Sequence, residues 1–197
     1  MRRKLLAATG NAHKIDEFRG ILGPLGIEFV APDEVGGIPE PEESGTTFEE
    51  NAAIKALSAA RHSGMDSFAD DSGLEIDALG GAPGIFSSRY ADDDAARIAR
   101  VLREMRGEEN RVARFVCAVA VASPDGRVEV VRGTVEGRLL REPRGDGGFG
   151  YDPIFVPDGY DATFAELPSE KKDSISHRAN ALRAASRMLS DWGATGG

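Results

Sequence analysis

Two adjacent carboxylates, Asp70 and Asp71, follow the apolar run Ser67-Phe68-Ala69 and lead into Ser72-Gly73. Alternation along a strand sends neighbouring side chains to opposite sides, so at most one of the pair faces a given site directly. Carboxylates with few companion ligands suit magnesium, which keeps several waters and takes phosphate oxygens. A carboxylate placed there can also accept a proton from water as a general base. The plain alternative is an Asx-type turn with two exposed acids. Upstream, the acidic loop carrying Glu40, Glu42 and Glu43 offers a second metal ligand, or simply solvated charge.

Three other segments carry chemistry of a complementary kind. Thr9-Gly10-Asn11-Ala12-His13-Lys14 lies where an apolar strand gives way to helical spacing. A helix N-terminus presents free N–H groups and partial positive charge, and Lys14 in its first turn is favoured only if an anion is present. The same residues also read as a helix capped by Asn11 with a solvated lysine. Residues 145–153 hold four glycines and two aromatics, Phe149 and Tyr151. Such a loop approaches something closely; Phe149 can stack on a planar base, worth about 1–3 kcal/mol, and Asp152 can accept from its N–H groups. Alternatively, it is a turn whose aromatics simply pack. Finally, Lys171-Lys172 and Ser176-His177-Arg178 put cations at or near the start of the last helix, against its dipole. They suit recognition of a phosphate or a base carbonyl, or form a solvated basic face.

These segments must be positioned by ordinary elements. Residues 4–8 read as a buried strand, and Ile15, Phe18, Ile21 and Leu22 as a helix stopped by Gly23-Pro24. Residues 32–46 read as an irregular loop. Thr47-Phe48-Glu49-Glu50 has capping-box spacing ahead of a helix over 51–61. Short strands are expected at 67–69 and 74–77, with a loop at 80–84. A third helix spans 92–106, with Ala95, Ile98, Val101, Leu102 and Met105 inward. Residues 112–122 and 127–140 are long strands joined by the hairpin turn Ser123-Pro124-Asp125-Gly126. A loop over 142–153 leads to a short strand at 154–156. The last helix runs from about 174 to 192, with Leu182, Ala185, Leu189 and Trp192 on one stripe. Alternating strands and helices give an α/β fold with a mixed sheet.

Composition narrows the class. The chain has 197 residues, enough for one domain, and 41% of them are hydrophobic. A formal net charge of −9 makes broad nucleic-acid binding a poor expectation, while leaving room for a local anion pocket. No run approaches the ~20 apolar residues that cross a bilayer. The basic start Met1-Arg2-Arg3-Lys4 precedes too short an apolar run for a signal peptide, so a cytoplasmic location is expected. The single cysteine, Cys117, sits in an apolar run and reads as a small core residue.

The whole set resembles the inosine triphosphate pyrophosphatase family, also called the dITP/XTP pyrophosphatases. The resemblance runs from Leu6 to about Leu189. It rests on Ala8-Thr9-Gly10-Asn11 with Lys14, Thr47-Phe48-Glu49-Glu50-Asn51-Ala52, Ala69-Asp70-Asp71-Ser72-Gly73-Leu74 and Leu79-Gly80-Gly81-Ala82-Pro83-Gly84-Ile85. Ser88-Arg89-Tyr90, Gly147-Gly148-Phe149-Gly150-Tyr151-Asp152-Pro153-Ile154-Phe155 and Ile175-Ser176-His177-Arg178 complete it in the same order. The resemblance implies an elongated mixed β-sheet flanked by helices, in two lobes with a central cleft, assembled as a homodimer. One such domain would fill residues 1–193, and 194–197 would be a flexible tail. It implies hydrolysis of inosine, deoxyinosine and xanthosine triphosphates to the monophosphate and pyrophosphate with Mg2+.

By the same resemblance, Thr9, Gly10, Asn11, Ala12, His13 and Lys14 bind the triphosphate, with His13 in a variable position. Asp71 ligates metal and accepts the proton of water, with Glu43 or Glu40 as its metal partner. Ser72 touches substrate, and Phe149, Gly150, Tyr151 and Asp152 hold the base. Lys172, His177 and Arg178 read the 6-oxo purine edge. The segments at 80–85 and 88–90 lie near the dimer contact or the cleft. Two alternatives differ in kind. A Maf-like pyrophosphatase acting on pyrimidine or modified nucleotides should lack the Gly-Gly-Phe-Gly-Tyr-Asp and Ser-His-Arg segments. A nucleotide sensor without turnover should lack the carboxylates.

Overall fold

A computed structural model describes residues 3–192; the tail expected at 194–197 lies outside the described residues. Eleven principal elements follow in order: β1 (Arg3–Ala7), α1 (Ala12–Leu22), β2 (Ile27–Val30), α2 (Phe48–Ser63), β3 (Ser67–Ile76), α3 (Asp94–Glu104), β4 (Val112–Ala122), β5 (Val128–Leu139), β6 (Phe155–Pro157), α4 (Ser169–Ile175) and α5 (His177–Trp192). The strands form one sheet in the order β2-β1-β3-β4-β5-β6. β1 runs parallel to β2 and to β3, and β5 antiparallel to β6, so the sheet is mixed as expected.

The chain divides into two compact units. The first holds the residues up to Asp71, residues 117–133 and those from Ala179 onward; the second holds residues 72–116 and 134–178. In the first unit, Leu5 and Ala7 of β1 share a core with Phe29, Phe68, Cys117, Val119 and Val121. Phe18 and Leu22 of α1, and Leu182, Ala185, Leu189 and Trp192 of α5, cover that face. Phe18, Phe29 and Phe68 meet with centroids 4.8 to 5.6 Å apart, each such pair worth about 0.5–1.5 kcal/mol beyond its buried area. Leu6 packs instead with Val30 and Ala59 of α2. The period-2 alternation of β1 thus sends successive leucines to α1 and α5 on one side and to α2 on the other. Cys117 is fully buried, as its apolar context requires.

The second unit packs Leu74 and Ile76 of β3 against Ile98, Val101 and Met105 of α3, with Phe115, Phe155 and Phe164. Ala95, expected inward, is exposed. Asp93 caps α3 by accepting from Ala96 N–H, and the helix buries Ile98 and Val101, leaving Ala95 beside the cap on the outer side.

Four other readings change. Ile27-Glu28-Phe29-Val30, read as no element, is the edge strand β2. Its alternation is too short to register in sequence, and pairing with β1 supplies the rest. The break expected between strands at 67–69 and 74–77 is absent, because β3 runs unbroken for ten residues, which excludes the alternative of an Asx-type turn at Asp70-Asp71-Ser72-Gly73. Gly73 makes this possible: a Cβ there would lie 2.4 Å from Ser87 Oγ, the same oxygen that accepts from Leu74 N–H at 2.9 Å. The loop expected at 80–84 gives way at its last residue to a 3-10 helix over Gly84–Arg89. The last helix is two: α4 ends at Ile175, Ser176 turns extended (φ −63°, ψ 156°), and α5 begins at His177.

Candidate active site

In the first unit, three loops and helices bring charge to β3. Asn11 begins α1: its side chain accepts from Lys14 N–H at 3.4 Å and its carbonyl from Ile15 N–H at 3.2 Å. Asn11 N–H donates to Thr9 Oγ1 at 3.2 Å. So Thr9 and Asn11 shape the strand-to-helix turn, and Gly10 is exposed between them. Capping and anion binding are compatible here, since a cap satisfies one N–H and leaves others. The side chains of Ala12 and His13 lie outside the described residues. Lys14 reaches from this turn to Asp70, Nζ to Oδ1 2.9 Å, where Asp70 is almost fully buried.

Helix α2 delivers a second cation. Thr47 caps it by accepting from Glu50 N–H at 3.1 Å. The reciprocal half of the expected capping box shifts by one residue: Glu50 accepts from Thr46 N–H and Thr46 Oγ1 at 2.6 and 2.9 Å. Gly45 N–H donates to the buried Asn51 Oδ1 at 2.9 Å, and a Cβ on Gly45 would meet that oxygen at 2.6 Å. These bonds pin the acidic loop to the start of α2. Ser67 Oγ donates to Ala56 O at 2.5 Å, tying α2 to β3. Between these anchors Lys55 Nζ lies 2.8 Å from Asp71 Oδ1 and 3.1 Å from Glu43 Oε1.

Glu43 therefore joins Asp71, while Glu40 is exposed. Asp70 and Asp71, consecutive on one strand, engage different helices. Burial pushes the Asp71 carboxyl above the usual range, with the Lys55 ammonium opposing it. For Lys55, burial works against the charged form but Asp71 outweighs it, so its ammonium is held up. Asp71 Oδ2 is buried with no hydrogen bond.

Among the described residues no group of three or more His, Cys, Asp and Glu side chains is poised to hold a metal. Magnesium uses one or two carboxylates and completes its shell with water and phosphate. The buried, unbonded Asp71 Oδ2 is the kind of donor such an ion takes.

The second unit gathers the aromatic loop and α4. Asp152 is buried, and its Oδ2 accepts from Phe149 N–H at 2.7 Å and from Lys172 Nζ at 2.5 Å. Burial raises the Asp152 carboxyl and Lys172 partly offsets the rise. Lys172 Nζ also sits over the Phe149 ring, 4.3 Å from its centroid. Phe149 is 61% exposed, so the ring is presented outward on a fixed backbone. Gly148 has φ +72°, and a Cβ there would fall 2.2 Å from Asp152 Oδ2. Cβ atoms on Gly145 and Gly147 would press on Ala165 at 2.7 Å. The close approach expected of this glycine loop is thus made to the protein itself.

Tyr151 and Gly150 of that loop make contacts within the protein. Tyr151 is buried and donates to Ser87 O at 2.9 Å, and burial pushes its phenol above the ordinary range. Gly150 N–H donates to Asp94 Oδ2 at 2.7 Å. Both hold the loop in place. His177 stacks on Phe115, centroids 4.9 Å apart and rings within 13° of parallel, and both it and Arg178 are buried. Ser72, on β3, is half-buried. Lys55 is the residue that sequence reasoning passed over. A lone lysine within the run Asn51-Ala52-Ala53-Ile54-Lys55-Ala56 was its only signal.

The model of the Ham1 family matches residues 5–188 of this chain. The chain is similar to the dITP/XTP pyrophosphatase of Desulforamulus reducens, 49% identical over 191 residues, covering 94% of this chain and 95% of that one. It is similar to the dITP/XTP pyrophosphatase of Bacillus subtilis, 48% identical over 192 residues, with 95% and 97% covered. The solved structure of a HAM1 protein from Coxiella burnetii superposes with a TM-score of 0.91 at 42% identity, covering 96% of this chain and 99% of that one.

Proposed function

The chain belongs to the Ham1 family, and from that premise we propose that it hydrolyses non-standard purine nucleoside triphosphates, dITP, inosine triphosphate and XTP, to the monophosphate and pyrophosphate, with Mg2+. The observation that carries this reading is the Lys14–Asp70 and Glu43–Lys55–Asp71 cluster at β3, with Asp71 half-buried, raised and carrying a buried oxygen without a hydrogen bond.

Asp71 accepts the proton of the attacking water as its oxygen bonds to phosphorus and the bond to the pyrophosphate oxygen breaks. A carboxyl raised above its ordinary range by burial is a better proton acceptor than an exposed one. Magnesium held by Asp71 and Glu43 would supply neutralising charge at the phosphate oxygens. The free N–H groups at the start of α1, with Thr9, Gly10, Asn11 and Lys14, take phosphate oxygens.

Base recognition belongs to the second cluster. Phe149 offers an exposed ring for stacking. Lys172, His177 and Arg178 favour the 6-oxo acceptor of hypoxanthine and xanthine over the 6-amino donor of adenine. An unpaired buried polar group costs about 1–3 kcal/mol, enough for useful discrimination. We assign a homodimer and a cytoplasmic location on the family resemblance. No helix among the described residues is long and apolar enough to cross a membrane.

The test is release of pyrophosphate and nucleoside monophosphate from dITP, XTP and ATP, each with magnesium or chelator. Fast, magnesium-dependent release from dITP and XTP is expected, with ATP much slower. Equal rates on all three, or rates indifferent to chelator, would contradict it.

A further inference from the structure

Lys55 has no part in the proton transfer to Asp71, yet its ammonium lies directly between Asp71 and Glu43. It touches Asp71 Oδ1 at 2.8 Å and Glu43 Oε1 at 3.1 Å, with its side chain 18% exposed. It cannot drift far, because the Ser67 bond to Ala56 O fixes α2 against β3 one residue away. Two carboxylates brought together in a partly buried site repel unless a cation lies between them. Asp71 divides its oxygens: Oδ1 is held by Lys55, while Oδ2 is buried with no hydrogen bond. Lys14 is spoken for in another way, paired to Asp70 Oδ1 at 2.9 Å.

We propose that Lys55 is an internal counter-cation of the metal-binding carboxylates. Its ammonium holds Glu43 and Asp71 together before metal arrives, and a divalent ion must displace it from at least one of them. The inference rests on the reading of Asp71 and Glu43 as the magnesium ligands. Lys55 is accordingly a positioning residue with two opposed effects. It keeps the carboxylates aligned in the metal-free protein, and it weakens metal affinity by repulsion. A lysine that served only to join α2 to β3 would have the first effect without the second.

Magnesium binding is measured without nucleotide, by calorimetry and by the thermal shift that magnesium produces. Lys55→Met is expected to be less heat-stable than wild type in chelator and to bind magnesium at least about tenfold tighter, since removing a like charge a few ångströms away relieves a repulsion of at least that size. Lys55→Arg, which keeps the charge, is expected to lie nearer wild type than Lys55→Met. Unchanged or weaker magnesium affinity in Lys55→Met, with binding still abolished by Asp71→Asn, overturns the counter-cation role and leaves the metal ligands standing. Binding that survives Asp71→Asn overturns both. Should Lys55→Met fail to fold, the wild type itself decides. In carbon-13 lysine spectra the Lys55 ε-methylene signal, identified by its loss in Lys55→Arg, is expected to move with the magnesium binding curve. A signal that stays fixed through saturation overturns the proposal.

Discussion

The two charged clusters of this molecule are built on the same pairing, a buried aspartate against a lysine, and resolve it differently. Around Asp152 the loop is pinned: Oδ2 receives both Phe149 N–H and Lys172 Nζ, and Gly150 N–H is taken by Asp94. The exposed Phe149 ring is what the loop presents outward. Around Asp71 the accounting does not close. Lys55 holds Asp71 Oδ1, and Oδ2 is buried with no hydrogen bond. Buried polar atoms are nearly always satisfied, so an open one points to a ligand or a reaction. One cluster fixes its aspartate oxygen with two donors and presents a ring; the other leaves an oxygen of Asp71 open to a cation or a proton.

The largest expected effect separates them outright. Asp71→Asn should fold and lose turnover by at least ~100-fold, as for a general base, measured as steady-state pyrophosphate release; a rate near wild type would remove Asp71 from the chemistry. Phe149→Ala should act on the other side of the divide. It should raise the Michaelis constant by roughly tenfold, in keeping with about 1–3 kcal/mol for base stacking, with thermal stability little changed because the ring is exposed. An unaltered Michaelis constant would count against stacking.

The smallest effect is a titration. Burial holds the Asp152 carboxyl above its ordinary value of 3.8, and Lys172 draws it partly back. The folded protein therefore takes up this proton at higher pH than the unfolded chain. The group costs stability at neutral pH, and that cost is relieved as pH falls through the raised value. Lys172→Met removes the opposing cation, so the Asp152 carboxyl midpoint in carbon-13 spectra should move further up. A downward move would break the pairing.

Much of this was legible in sequence, and the omissions have physical causes. β4 is bounded as expected because its run is apolar but for Arg114 and its hairpin turn is polar. Asp70-Asp71-Ser72-Gly73 has turn composition, yet contacts distant in sequence decided it: Ser87 accepts Leu74 N–H, and Gly73 leaves room for it. The break at Ser176 has no glycine or proline to announce it. Tyr151 looked like a ligand residue because it shares a loop with Phe149; only packing reveals that one ring faces Ser87 and the other faces outward. Lys55 was hidden because a lysine in an alanine-rich helix is ordinary, and its partners lie 12 and 16 residues away.

That chemistry and base choice reside in different clusters is tested most directly by one ratio, kcat/KM for inosine triphosphate over that for ATP, in Asp71→Asn and Lys172→Met. The ratio should hold in Asp71→Asn while both rates collapse. In Lys172→Met it should fall by about tenfold, the worth of one recognising hydrogen bond, with magnesium dependence intact. A ratio lost in Asp71→Asn, or kept in Lys172→Met, would contradict the division.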